Sequence, residues 1–309
     1  MITSLFRKST PINYLLVLLL VLFFFFTYEF HSADIVKTTL PLLTKMGFLG
    51  LILATLFTAN FITVKNGLSK DSAYPIVFTL FFLLFSPSIF NNLNLLGSNF
   101  FVLLAIRRLL SLQTLKFTKE KIFDASLWVF VATLFHFWAI LFIVLVFLSI
   151  ITNAARDYRN WFLPFIAFFT IYSLYLMISL LFGPIVSANF VENSTTNINL
   201  QYFVNNYQNI AFSMYVAIAL FFFVTLVFSL PNRPLIFHSA YIKTIFSFLI
   251  GLAIFLISPN KSNDLLIFTF VPLSIMATGN IEITRSKLRQ ELVLLIFIGC
   301  SCFAYFSQL

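Results

Sequence analysis

Six ionisable residues sit where an apolar sequence has little use for them. Glu29, His31 and Asp34 follow the first apolar run in the stretch YEFHSAD; Arg107 and Arg108 are adjacent inside SNFFVLLAIRRLLSLQTLKF; His136 lies in LFHFW. A carboxylate beside a histidine suits proton abstraction or metal ligation. A guanidinium offers a planar, permanent positive charge that matches phosphate. An outward-facing histidine is a general base. Each also has a plain reading: Glu29, His31 and Asp34 are what a short exit loop offers, the arginines can be membrane-boundary anchors, and His136 can satisfy a turn. The elements that position them decide between these readings.

Composition identifies the solvent. Hydrophobic residues make up 61% of the 309 positions and charged residues 9%, against about 25% charged in ordinary globular chains. Apolar runs of about the length a helix needs to cross hydrocarbon recur near 13–30, 46–64, 73–90, 98–117, 161–182, 209–230, 243–258, 265–279 and 292–308. The expected fold is an all-α, polytopic transmembrane helical bundle of about 10–11 membrane segments. It forms a single integral membrane domain over 1–309, with a short amino-terminal lead (1–12) and one longer polar loop (184–208). The two cysteines, Cys300 and Cys302, are spaced i, i+2 on different faces of a helix and read as packing residues. The basic start at Arg7 and Lys8 leads into a run longer than a signal-peptide core, so Met1 to Phe30 reads as the first span and its cytoplasmic lead.

The stretch from Phe123 to Asn153 has no Gly or Pro. As one helix it would be about 46 Å long, well beyond a core of about 30 Å; the alternative is a helical hairpin turning near His136. Short cytoplasmic loops hold the excess of Lys and Arg. With the hairpin and an inside amino terminus, sixteen of the 19 Lys and Arg lie inside, and only Lys37, Lys45 and Lys261 outside. A single long helix would invert everything after it and give ten inside against nine outside. The hairpin is therefore expected, at 123–153, with the carboxyl terminus outside a bacterial inner membrane.

If the fourth span begins near Asn99, both arginines fall near mid-depth, where one costs about 2.5–3.5 kcal/mol on insertion scales and implies a partner. Arg107 is followed by Ser111 and Thr114 at i+4 and i+7, a stripe suited to a bundle interior, while Arg108 lies between Leu104 and Leu112 and would snorkel. A helix beginning nearer Leu93 would instead hold both at the inner boundary. Walker loops, G-x-G-x-x-G, a Cys/His metal framework and a Ser-His-Asp constellation are all absent from the sequence. No cofactor, metal or nucleic-acid partner is expected, and ATP use is not expected either.

The segment beginning at Gly97, GSNFFVLLAIRRLLSLQTLKFTKEKIFDASLWVFVATLFHFWAILFIVLVFLSI, is similar to the middle of exopolysaccharide and O-antigen polymerase-like membrane proteins. In length and hydropathy the whole chain more closely resembles an uncharacterised family of Bacteroidota inner-membrane proteins. The polymerase-like resemblance implies a polyprenol-diphosphate-linked glycan as ligand. Arg107 would supply fixed charge to the diphosphate, and His136 or Glu29 would take a proton from the acceptor hydroxyl; Arg108, His31 and Asp34 would be ligand-binding. The polar loop here carries only Glu192 as a charge, unlike the Arg-bearing loop of those families. Other classes stay open: a non-catalytic scaffold or accessory subunit meeting membrane lipids and other envelope membrane proteins, and, third, a transporter.

Overall fold

The computed structural model describes residues 2–35, 42–182, 194–197, 205–284 and 286–309. Most of the 184–208 loop, Arg285 and the side chain of Asp34 lie outside the described residues. Among those described there are twelve α-helices and no strand: α1 (Ile2–Phe6), α2 (Pro11–Ile35), α3 (Leu42–Lys65), α4 (Tyr74–Leu83), α5 (Leu93–Leu110), α6 (Thr118–Phe135), α7 (Ile143–Asn153), α8 (Leu163–Phe182), α9 (Asn206–Ser229), α10 (Leu235–Ile257), α11 (Ile267–Ile283) and α12 (Lys287–Gln308). Eight helical stretches are long and apolar enough to cross a membrane, with two shorter apolar ones at Tyr74–Leu83 and Phe137–Asn153. The protein is an all-α, multi-pass membrane bundle. Its contacts divide it into two compact units: Met1–Leu96 with Phe203–Arg233 and Phe270–Leu309, and Gly97–Tyr202 with Pro234–Thr269.

In the first unit α4 is the centre. Pro75 fixes its first turn, and all ten of its residues are buried. At about 15 Å it reaches only half a hydrocarbon core, and a 3₁₀ turn over Pro87–Asn91 carries the chain on. Aromatic rings from three other helices close around it. Phe82 lies 4.7 Å from Phe297 and 6.1 Å from Phe270, and Phe78 lies 5.7 Å from Phe222, all between ring centroids. These spacings fall in the range where ring pairs add to simple burial.

In the second unit the stretch 123–153 does fold as a hairpin. His136 is extended (φ −142°, ψ 113°) and ends α6. The returning limb, a 3₁₀ segment over Phe137–Phe142 followed by α7, packs back on α6 and against α10. Seventeen residues of pure α-helix would be about 25 Å long; the 3₁₀ rise of about 2 Å per residue stretches this limb to about 28 Å, close to one hydrocarbon thickness. Gly251 lets α10 approach the start of α11, because a Cβ there would lie 2.7 Å from Thr269 Cγ2 and 3.1 Å from the Phe268 carbonyl carbon.

Candidate functional site

The residues that the sequence singles out fall in both units, Glu29 and His31 in the first and Arg107, Arg108 and His136 in the second. Asn92 caps α5: its Oδ1 accepts from the Leu95 N–H at 3.2 Å. The helix therefore starts at Leu93, and Arg107 and Arg108 fall in its last turn rather than at mid-helix. The buried face of α5 there is Val102, Leu103, Ala105, Ile106, Leu109 and Leu110. Arg107 points away from it and is exposed, contrary to the expected inward stripe. Ser111 and Thr114 turn their hydroxyls onto the carbonyls of Arg108 and Ser111 instead. Arg108, expected to snorkel, pairs with Asp124 of α6 at 2.9 Å. Two lysine side chains cap the same helix end: Lys121 donates to the Ser111 carbonyl at 2.7 Å, and buried Lys243 to the Leu109 carbonyl at 2.9 Å. Cations belong at a helix carboxyl end, where the partial charge is negative. Nearby, the exposed Asp157 carboxyl is held below its usual range, first by the Arg159 backbone N–H and then by Lys119.

His136 packs its ring against Phe268, with centroids 5.7 Å apart. Its neighbour Phe135 lies over Gly97, ten residues or about 15 Å along α5 from Arg107. The two are not parts of one constellation. Glu29, in the other unit, forms an ion pair with Lys45, and His31 is exposed near the end of α2. Among the described residues no three His, Cys, Asp or Glu side chains come together as metal ligands would.

A different site emerges in the first unit. It is a pocket of about 790 Å³ walled by Arg7, Lys8, Lys70 and Lys287, with Glu282 the carboxylate among its lining residues. Three distant segments build it. The first is the amino-terminal lead: the Ala73 N–H donates to the Phe6 carbonyl and the Ser9 N–H to the Asp71 carbonyl, both at 3.0 Å. The amide of Asn13 holds the carbonyls of Leu5 and Lys8 at 2.8 and 2.6 Å, and the Tyr74 hydroxyl donates to Thr3 at 2.6 Å. The second is the turn after α3. Gly67 is left-handed (φ 67°), and the bonds from Leu68 N to Thr63 O and from Gly67 N to Val64 O are those of a glycine-terminated helix. The third is the α11–α12 connection, clamped by Gln290, whose Nε2 donates to the carbonyls of Ile281 and Thr284 at 2.8 and 2.6 Å.

Glu282 ties the second segment to the third. Its carboxylate accepts from Ser69 Oγ (2.7 Å), Ser72 Oγ (2.6 Å) and the Lys70 N–H (3.0 and 3.1 Å). Three of these bonds fall on Oε1, and Oε2 accepts from the Lys70 N–H alone. Four cations facing one carboxylate form a concave positive surface, which concentrates anions and offers charge-assisted bonds to phosphate oxygens. Its volume is that of a small-molecule site. Three exposed apolar side chains lie on these segments, Leu5 (47%), Ile283 (50%) and Leu288 (78%). The sequence left this site unseen, although the charge rule puts all four cations on one side.

No curated protein and no solved structure matches the chain. A family of unknown function (DUF6427) matches residues 1–309, the whole chain. Because the match spans the whole length, the chain belongs to that family.

Proposed function

We propose that this protein serves envelope glycan assembly by holding the diphosphate of a polyprenol-linked intermediate at the cytoplasmic end of its first unit. The observation that carries the reading is the pocket of Arg7, Lys8, Lys70 and Lys287. Four cations suit a diphosphate, and the space exceeds what a diphosphate alone fills, which leaves room for an attached sugar. The exposed side chain of Ile283 in its lining, with exposed Leu5 and Leu288 on the segments that build it, suits a ligand whose remainder is a hydrocarbon chain. The distribution of lysine and arginine supports a cytoplasmic setting for this end. The reading is one of binding and presentation. Bond-making by Arg107, His136 and Glu29 forms no part of it, because the distance along α5 keeps the first two apart.

The test is binding of polyprenyl diphosphate to the full-length protein in neutral-lipid nanodiscs, with uncharged polyprenol as control. Neutralising Lys70 and Lys287 together should weaken the diphosphate by tenfold or more, since each charge-assisted bond is worth about 1.5–3 kcal/mol. Equal binding of the uncharged polyprenol, or indifference to the two substitutions, would overturn the proposal.

A second reading, an accessory subunit, is favoured by α8. This helix packs mainly on α6 and leaves Phe169 (66%) and Leu180 (86%) exposed. Photo-crosslinkers at these two positions in intact cells should trap one defined membrane protein under that reading, and only lipid without it.

A further inference from the structure

Glu282 is oddly placed for a structural anchor. It lies in the last turn of α11, where the negative end of a helix disfavours a carboxylate. The turn that holds it contains left-handed positions at Gly67 and Asp71 (φ 67° and 55°), and its donors are two hydroxyls and one backbone N–H. Ser69, Ser72 and the Lys70 N–H converge within 2.6–3.1 Å on one carboxylate. Such a concavity of N–H and O–H groups binds anions as a class and is not particular to carboxylates. Lys70, Ser72 and Glu282 also line the basic pocket itself, so a phosphate entering it meets these donors already occupied.

We propose that the Ser69–Ser72 turn is a phosphate subsite of the basic pocket, and that Glu282 is its resident anion, displaced when a phosphate-bearing ligand binds. This rests on the reading of the pocket as a phosphate site. The exchange is favourable in sign. A phosphate carries more charge than a carboxylate and meets the four surrounding cations, while the Glu282 side chain turns out to water. Displacement also cuts the tie between the 69–72 turn and the α11–α12 connection. Ligand binding thereby loosens that connection, which presents Lys287 to the pocket.

Inorganic pyrophosphate is the probe, titrated calorimetrically into the full-length protein in neutral-lipid nanodiscs. Glu282→Gln removes the competing charge and should tighten pyrophosphate about fivefold to tenfold. In that background, Ser69→Ala with Ser72→Ala should weaken it by about tenfold or more. If Glu282 acted only as a distant negative charge, the serine changes would leave affinity unaltered, and the inference would fall. Hydrogen exchange on the unsubstituted protein guards against a variant that does not fold. Pyrophosphate should slow exchange at Lys70–Ser72 and speed it at Ile281–Thr284 and Lys287–Gln290; slowing in both places would refute displacement. Failure of pyrophosphate to bind either the unsubstituted protein or Glu282→Gln would sink the parent reading. Binding that depends on Lys70 and Lys287 but weakens in Glu282→Gln would sink this inference alone.

Discussion

The arginine pair gives the sharpest quantitative test, because structure and sequence pattern order its members oppositely. The inward stripe read from sequence makes Arg107 the costly residue to lose. The structure makes it Arg108, whose guanidinium lies 2.9 Å from Asp124 with the two side chains 42% and 34% exposed. Two unit charges at that separation attract by about 6 kcal/mol at an effective dielectric constant of 20, and by about 1.4 kcal/mol in water. Both groups are more than a third exposed, so the lower figure governs, and the entropy of fixing two long side chains reduces it further. Exposed pairs of this kind couple by about 0.2–1 kcal/mol, and the short contact places this one near the top, at about 1 kcal/mol. The assay is a double-mutant cycle of Arg108→Gln and Asp124→Asn, read by reversible unfolding in detergent at low and high salt. The coupling should shrink at high salt, because screening acts on exposed charges. Arg107→Gln should cost less than about 0.5 kcal/mol, as surface substitutions generally do. A coupling indistinguishable from zero at low salt, or a greater cost at 107 than at 108, would refute the placement of the pair.

Two glycines should respond with opposite sign. Gly50→Ala meets nothing within 4 Å and should gain up to about 1 kcal/mol of helix propensity, whereas Gly251→Ala drives a Cβ against the Phe268 backbone and should lose about 1–2 kcal/mol net of that gain, both read as shifts in unfolding midpoint. The Asp157 carboxyl has a folded pKa below its ordinary 3.8. Its contribution is therefore present above that value and lost as pH falls through the lower, folded one; the stability difference from Asp157→Asn should be constant from pH 7 to 5 and fade only below about 4. For topology, in a background lacking Cys300 and Cys302, a cysteine at 195 should label from outside intact cells and one at 157 only after permeabilisation; labelling of 157 from outside would reverse the assignment of both ends.

The helices and the His136 hairpin were legible because they follow from hydrophobic length and from charge, which act locally or by simple counting. The depth of the arginines was not. The run NNLN reads as punctuation between spans, yet Asn92 is the cap of α5, and starting the helix at Leu93 carries Arg107 and Arg108 to its far end. Lys243 misled for the same reason: α10 begins at Leu235, and a lysine counted among inner-loop charges is a buried cap on the Leu109 carbonyl. The basic pocket was hidden differently. Arg7, Lys70 and the Glu282–Lys287 stretch lie far apart in the chain, and each charge alone is ordinary for a turn or a helix end. Only the Gly67 turn, the Asn13 and Gln290 clamps and the serine donors to Glu282 bring them together.

The burial of α4 has a consequence for the order in which the protein is made. A ten-residue helix cannot settle in a bilayer as an independent span, and the rings that enclose it, Phe222, Phe270 and Phe297, are synthesised long after it. During translation α4 must therefore wait, incompletely covered, until α12 emerges. Contacts between such distant parts of a chain form slowly and leave apolar surface open to misassociation meanwhile. Closure of the first unit around α4 thus waits for α12, and a chain cut short before α12 would reach the membrane without the Phe297 ring that covers Phe82.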